Sequence, residues 1–176
     1  MNDNGVDRIQ RIQKNPVFQD LYIKLQDAEA GRIFCKHTME HFLDVARLMY
    51  IFCLEDGESI NKDVVYATAL LHDLGRYDQM TCGTPHNVAG VEIAGNVLKE
   101  CGFTDDEILS IQKAIAGHRA PHGVDADKLT AYLYRADKMS RNCFSCSVRS
   151  ECNWPDEKRM SGSCSKNRRN CYDNWK

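Results

Sequence analysis

Histidine and aspartate residues lie on or near the ends of several predicted helices in this sequence. His72 and Asp73 directly follow the apolar run VVYATALL, which would carry them into the protein interior. Burying such groups without partners costs several kcal/mol, so something must compensate them. Four residues of the same types are candidates to share the site: His41, His86, His118 and Asp137. Imidazole and carboxylate together suit Fe, Mn, Zn, Ni or Co and leave positions for water and substrate, so we predict a metal centre.

Positively charged side chains follow these residues closely in the sequence. They are Arg76, Arg119, Lys138 and Arg141. Arginine binds phosphate through two parallel hydrogen bonds, whereas lysine acts as a point charge. We therefore predict an anionic substrate that these four residues bind. Asp73 and Asp78 are the two candidate catalytic residues. Asp78, in the segment that follows Asp73, is a candidate acid or base.

The elements that must position these residues are predicted to be helices throughout. Apolar residues recur at steps of three and four, and no alternating strand pattern is longer than a few residues. The helices are predicted over about 16–30, 35–54, 61–73, 86–102 and 104–117, with Asn61 and Thr104 as N-terminal caps. A further helix is predicted to start at Asp127 and to present Asp137. Gly75 is expected to end a helix, and the following GRYDQMTCGTP is predicted to be a polar loop. The fold class is all-α.

His37 precedes His41 by four residues, so the two are expected to share one helix face. We expect His37 beside the ligands or on the surface, and His122 on a loop after Pro121.

The composition changes after Arg141, where aliphatic residues become rare and cysteines frequent. We predict a helical domain over residues 1–141 and a small Cys-rich appendage over 142–176, which needs help to become ordered. Its candidate ligands for a second, structural site are Cys143, Cys146, Cys152 and Cys164, with Cys171 as the alternative fourth ligand. Structural zinc, an iron–sulfur cluster and free thiols all remain open for this tail. Cys35, Cys53 and Cys101 are expected to be small core residues.

The chain has 176 residues, is 43% hydrophobic and carries a formal net charge of -2, as expected of one domain with a small appendage. It has neither an apolar N-terminal run nor a stretch that could cross a membrane, so we expect a cytoplasmic protein without a membrane partner.

Its nine cysteines would then stay reduced, which favours metal ligation over disulfides. From Asn153 onward six Lys/Arg oppose three Asp/Glu, too weak a basic patch to predict a nucleic-acid partner.

The order of these residues resembles that of a known family. His41 in HFLDVARL, His72 and Asp73 in ALLHDLG, and Asp137 in LYRADKMSR are similar to the motifs of the HD-domain superfamily of metal-dependent phosphohydrolases. The resemblance covers about residues 34 to 141. His86 in HNVAGVEIAG and His118 in AIAGHRAPHG match the additional ligands of two-metal members. Within that group the pattern is most similar to bacterial diadenosine tetraphosphate hydrolases with a di-iron centre.

The resemblance implies an HD-type helical bundle and a division of the ligands. His41, His72, Asp73 and Asp137 would bind one metal, while His86 and His118 would bind the second. Asp73 would bridge both, which agrees with its chemistry, because a carboxylate offers two oxygens where a neutral imidazole offers one nitrogen. The expected cofactors are one or two divalent transition metals, with Fe or Mn preferred to Zn or Ni.

The function expected from this resemblance is hydrolysis of a phosphate ester or anhydride by metal-activated water. The expected partner is a small phosphorylated substrate, a nucleotide or a related compound, and the sequence is compatible with a homodimer. Two alternatives stay open at this point. One is a di-iron oxygenase built on a similar ligand set, and the other is a nucleotide-binding regulatory module without catalysis.

Overall fold

A computed structural model describes residues 7–119, 127–155 and 159 of the chain. These residues form eight α-helices and no strand. The helices are α1 (Arg8–Lys14), α2 (Pro16–Ala28), α3 (Met39–Asp56), α4 (Lys62–Leu71), α5 (Arg76–Cys82), α6 (His86–Glu100), α7 (Asp105–Gly117) and α8 (Lys128–Met139). Two 3-10 turns, Cys143–Ser145 and Arg149–Glu151, follow α8. The prediction of an all-α fold is confirmed. Within the described ranges, no helix combines the length and the apolar character that crossing a membrane requires.

The core forms around α4, which packs against α3, α7 and α8. From Val64 onward every residue of α4 except Tyr66 is buried. Large side chains from neighbouring helices complete this core, among them Phe42, Met49, Ile111 and Leu133. Full burial of one such side chain contributes about 1.5–3 kcal/mol. Because α4 is buried on nearly all sides, the residues that follow its last turn lie in the interior as well.

Polar caps set where several helices begin. The side chain of Asn61 accepts a hydrogen bond from the backbone N–H of Asp63 at 2.8 Å. Thr104 and Glu107 form the reciprocal capping box at the start of α7, and Asp127 accepts from the backbone of Thr130 at 3.0 Å. Each cap contributes about 1 kcal/mol and fixes the first residue of its helix. The caps predicted at Asn61 and Thr104 are confirmed, as is the predicted start of a helix at Asp127, which caps α8.

The segment before α3 is extended rather than helical. Helix α3 begins at Met39, because Thr38 caps it by accepting from the backbone N–H of His41 at 3.4 Å. Residues 35–38 therefore lie outside the helix, and the prediction of a helix from residue 35 is wrong there. Cys35 is exposed, which also corrects its assignment to the core, whereas Cys53 and Cys101 are buried as predicted.

The segment after Gly75 is helix α5, not the polar loop that its composition predicts. Gly75 does not end a helix in the left-handed conformation, because its φ is -66°. Its lack of a side chain serves packing instead. A Cβ atom at Gly75 would lie 2.2 Å from the carbonyl oxygen of His86 and 2.7 Å from the backbone nitrogen of Gly90. The start of α6 can approach α4 and α5 this closely only because residue 75 is glycine.

We expect Gly75→Ala to lower the free energy of unfolding by about 3 kcal/mol, because the clash involves backbone atoms that a rotamer change cannot relieve. Urea denaturation followed by circular dichroism measures this change. Gly31→Ala is the matched control, since a Cβ there meets no atom within 4 Å. Equal stabilities of the two variants would contradict the packing role of Gly75.

Candidate metal centre

Asp73 lies at the centre of a cluster of buried imidazoles. Helix α4 delivers His72 and Asp73 into the interior, where both residues are 0% exposed. Asp73 Oδ2 lies 3.1 Å from Nε2 of His72 and 3.9 Å from Nε2 of His41. Asp73 Oδ1 lies 3.4 Å from Nε2 of His86 and 3.8 Å from Nε2 of His118. The two oxygens of one carboxylate thus face two different sets of histidines.

Two groups of potential ligands share Asp73. In each group, one ligand atom per residue lies within 4.8 Å of all the others, and every member is buried. The first group contains His41, His72, Asp73 and Asp137, and the second contains Asp73, His86 and His118. The fold therefore brings together all six residues that the sequence nominated as ligands, in the division that the family resemblance implies.

The rings of this cluster are oriented through their Nδ1 atoms. Nδ1 of His72 lies 2.7 Å from the carbonyl oxygen of Ala69, and Nδ1 of His118 lies 2.6 Å from that of Ile115. A carbonyl oxygen can only accept, so each Nδ1 carries a proton and each ring turns its Nε2 towards Asp73. Such outer contacts are the usual way in which proteins orient metal-binding histidines.

His86 is oriented in the same way by a side chain of α5. Its Nδ1 lies 2.5 Å from Oε1 of Gln79, and the same oxygen accepts from the backbone N–H of His86 at 3.2 Å. Because a backbone N–H only donates, the Gln79 atom must be the oxygen and Nδ1 must be the donor. The Nε2 atoms of His86 and His118 then lie 3.2 Å apart with their lone pairs towards each other. Two such lone pairs are stable at this distance only with a cation or proton between them.

Unpartnered atoms at the cluster fit the same interpretation. Nε2 of His72 and Oδ2 of Asp73 are buried without a hydrogen-bond partner, although they lie 3.1 Å apart, because they are not aligned for a hydrogen bond. An unsatisfied buried polar group costs about 1–3 kcal/mol. A donor set of imidazole nitrogens and carboxylate oxygens suits divalent transition metals. The residues present therefore fit one metal in each group.

The charges at the site shift the pKa values of its members in opposite directions. Burial acts to lower the pKa of His72, but the carboxylates of Asp73 and Asp137 outweigh it and raise that pKa to about 9. Burial acts to raise the pKa of Asp73, yet His72 and Arg76 hold it well below its usual value. Burial lowers the pKa of His86 to about 3, and the charge of Arg76 adds to this effect. Both aspartates thus stay ionised and His86 stays neutral, which is the state that metal binding requires.

His37 is a fifth imidazole at Asp73, whereas the sequence left it either beside the ligands or on the surface. It is 3% exposed, and its Nε2 lies 3.4 Å from Oδ2 of Asp73. Glu29 on the turn after α2 holds this ring, with Oε1 at 2.6 Å from Nδ1 and Oε2 accepting from the backbone N–H of His37 at 2.8 Å. Since His37 lies before α3, its spacing from His41 is not a helical one. Apart from its residue type, nothing in the sequence indicated that His37 lies beside Asp73.

Three of the four nominated cations lie against the ligands. Nε of Arg76 donates to Asp73 Oδ1 at 2.9 Å, Nζ of Lys138 contacts Asp137 Oδ2, and Nη2 of Arg141 lies 3.0 Å from Nε2 of His41. All three cations line a cavity of about 320 Å³ together with His37 and Asp137.

The remaining nominated residues lie apart from that cavity. Arg119 is exposed beyond α7, where its charge lowers the pKa of His86. Asp78 lines a different cavity, with Thr84 and Val88. His122 and the cysteines Cys164 and Cys171 are outside the described residues, so their predicted positions are untested.

Comparison with known proteins identifies the domain. The sequence matches the HD-domain family over residues 38–142. The chain belongs to this family. It is 43% identical over 131 residues to an uncharacterised protein of Clostridium beijerinckii, a match that spans 74% of this chain and 82% of that protein. It is also 26% identical over 119 residues to Ribonuclease Y 1 of Pediococcus pentosaceus, which spans 60% of this chain and only 22% of that protein.

The HD domain also has a counterpart of known structure. The crystal structure of a predicted HD superfamily hydrolase from an uncultured Thermotogales bacterium superimposes with a TM-score of 0.57. The match covers 88% of this chain and 87% of that chain at 20% identity, so the two proteins share a fold.

The pKa of His72 makes metal binding by the HD domain dependent on pH. Without metal the ring holds a proton at neutral pH, because its pKa of about 9 lies above the ordinary value of 6.5. A metal must displace this proton, so the affinity for Mn²⁺ should rise by up to about tenfold per pH unit between about pH 6 and about pH 8.5. Isothermal titration with Mn²⁺ across that range measures the slope.

The metal-free HD domain should show the opposite trend. A raised pKa stabilises the folded state fully below the unfolded value of about 6.5, and that stability is lost as the pH rises towards about 9. Thermal melting of metal-free protein provides this control. An affinity for Mn²⁺ that does not change with pH would contradict the protonation of His72.

Proposed function

We propose that this HD domain is a metal-dependent phosphohydrolase that cleaves a phosphate ester or anhydride of a nucleotide or a related small compound. The observation that carries the proposal is the carboxylate of Asp73, whose two oxygens serve two neighbouring groups of ligands. A cavity lined by four cationic side chains opens beside these groups. Two adjacent cation sites beneath an anion-binding cavity are an arrangement suited to in-line displacement at phosphorus.

The metals, when bound, supply an activated water and neutralise charge on the phosphoryl oxygens. The chain's own residues hold this arrangement in place. Asp73 and Asp137 stay ionised because their pKa values lie well below the usual value. Arg76 donates to Asp73 Oδ1 and thereby fixes the orientation of the shared carboxylate. Contacts at Nδ1 prevent the rings from turning away.

The cavity beside the centre has the chemistry of a phosphate site with an aromatic end. Four cations line it, Arg32, Arg76, Lys138 and Arg141, whereas Asp137 supplies the one carboxylate among the lining residues that the structure describes. The aromatic rings of Phe34 and Trp154 also line it. Such rings are surfaces on which a nucleobase stacks, with an energy of about 1–3 kcal/mol per base. We propose that the phosphates bind the cations while the base lies against these rings.

A panel of phosphorylated compounds tests this function. The protein is freed of metal, reloaded separately with Fe²⁺, Mn²⁺ or Zn²⁺, and assayed for released phosphate or nucleotide. Diadenosine tetraphosphate is included because of the family resemblance, and a short oligoribonucleotide because one relative is named a ribonuclease. Release with Fe²⁺ or Mn²⁺ supports the proposal. Oxygen consumption without hydrolysis would indicate an oxygenase, and thermal stabilisation by a nucleotide without turnover would indicate a regulatory module.

Asp73→Asn should abolish hydrolysis, because an amide cannot bridge two cations as a carboxylate does. The metals contribute several kcal/mol to stabilising the transition state, which corresponds to a loss on the order of 10³-fold. Metal content per chain should fall while the helical circular dichroism signal is retained. Asp44→Asn is the matched control, because Asp44 is a partly exposed carboxylate on α3 that pairs with Arg47 at 3.0 Å. Hydrolysis at the wild-type rate by Asp73→Asn would exclude the proposed mechanism.

Lys138→Gln should raise KM about tenfold while metal content stays unchanged. Its ammonium group lines the cavity, and a charge-assisted hydrogen bond to phosphate contributes about 1.5–3 kcal/mol. Steady-state kinetics on the best substrate of the panel measure the effect. Lys113→Gln, at an exposed position of α7, is the control. Equal KM values for the two variants would remove Lys138 from the substrate site.

A further inference from the structure

Four cysteines from two distant parts of the chain converge on one cavity. Cys35 lies on the extended segment before α3. Cys143 begins the first 3-10 turn after α8, and Cys146 and Cys152 directly follow the first and the second turn. All four line a cavity of about 380 Å³. None of them is paired in a disulfide. The fold thus assembles four thiols that the sequence separates widely.

Backbone contacts hold the two segments in position around this cavity. The backbone N–H of Cys146 donates to the carbonyl oxygen of Cys143 at 3.4 Å, and that of Cys152 donates to Arg149 at 3.3 Å. Arg141 joins the two segments, because its Nη1 donates to the carbonyl oxygen of Lys36 at 3.1 Å. These contacts hold Cys35 and the three later cysteines at the same cavity.

Positively charged side chains surround the thiols. Arg141, Arg149 and Arg159 line the cavity, and no carboxylate is among the lining residues that the structure describes. Two of these arginines are tied to the cysteine backbone, because Arg149 donates to the carbonyl oxygen of Cys143 at 3.0 Å and Arg159 donates to that of Cys152. Thiolates, not thiols, bind metals, so this positive field suits a thiolate site.

The sulfur atoms also affect one another. Cys35 has an exposed surface, but enough protein surrounds its thiol that partial burial raises the pKa of that thiol. Arg141 lowers that pKa, whereas Cys143, Cys146 and Cys152 raise it further. A thiolate at Cys35 would therefore be repelled by three others unless a cation lay among them.

We propose that Cys35, Cys143, Cys146 and Cys152 bind a [4Fe–4S] cluster, with Cys35 in the ligand position that the sequence suggested for Cys164. The spacing of the sulfur atoms supports a cluster over a single zinc ion. A tetrahedral zinc site with Zn–S bonds of about 2.3 Å holds its sulfurs about 3.8 Å apart. No three of these four sulfurs lie within 4.8 Å of one another, in contrast to the groups at Asp73. A cluster accepts wider spacing, because its irons stand between the cysteine sulfurs.

The proposed cluster would border the cavity of the HD site. Cys35, Cys143 and Cys152 line that cavity too. Binding of the cluster would therefore stabilise the folded appendage, whose polar composition contributes little to its stability. It would also fix the positions of the cysteines that line the cavity. This inference stands on the cysteines alone and does not depend on which reaction the HD site catalyses.

Full-length protein purified without oxygen tests the proposal. Acid-labile sulfide is the decisive measurement, because iron at the HD site carries none. We expect about four sulfides per chain, with about four irons beyond those of the HD site. Visible absorption that dithionite bleaches should accompany them. One zinc ion per chain without sulfide would overturn the cluster.

Three variants test the ligand set. Cys35→Ala should lose the sulfide and the visible absorption, and its helical circular dichroism signal shows whether the domain remains folded. Cys82→Ala should retain both, since Cys82 is an exposed cysteine on α5 away from the cavity. Cys164→Ala should also retain both. Loss of sulfide in Cys164→Ala, or its retention in Cys35→Ala, would overturn the assignment of Cys35 as the fourth ligand.

Discussion

The carboxylate of Asp73 is completely buried at the end of an almost wholly apolar helix, and Nε2 atoms of five histidines surround its two oxygens at 3.1 to 3.9 Å. A charge in such a place is tolerated only when neighbouring groups compensate it. Arg76 and the protonated form of His72 do so in the metal-free protein. Metal ions would do so when bound, so protons and metals compete for the same interior position.

The helices around this carboxylate act as supports that limit how each imidazole can turn. His72 and His118 follow the last turns of α4 and α7, and each donates Nδ1–H to a carbonyl oxygen three residues earlier in the chain. His86 begins α6 and is oriented by Gln79 of α5. The absent side chain of Gly75 allows that end of α6 to approach. The HD site is therefore built from helix ends. The positions of its imidazole rings depend on how closely those ends pack.

The extended segment over residues 35–38 joins the two parts of the protein. It presents His37 to Asp73 and Cys35 to the cysteines of the appendage. Glu29 holds its histidine from one side, and Arg141 holds its backbone from the other. Arg141 also lies 3.0 Å from Nε2 of His41. A change in the cysteine site would thus reach the HD site through one short segment and one arginine.

The sequence alone determined the features that depend on neighbours along the chain. Helical periodicity and the caps Asn61 and Thr104 predicted α2, α4, α6, α7 and α8, because a cap acts within three residues. Helices α1 and α5 were not predicted, and α3 begins later than predicted. The family pattern nominated six ligands, and the fold brings those six together. The caps thus required only local chemistry, whereas the ligands were nominated by residue type and by the family pattern.

Only the tertiary structure decided the positions that depend on distant contacts. The turn from Gly75 into α5 follows from the approach of α6, which no periodicity reveals. His37 and Cys35 lie on an extended segment without a repeating pattern, so their partners Glu29, Asp73 and Cys143 could not be read from spacing. The physical reason is that an irregular segment takes its conformation from the surfaces that it contacts, and those surfaces exist only after the helices have packed.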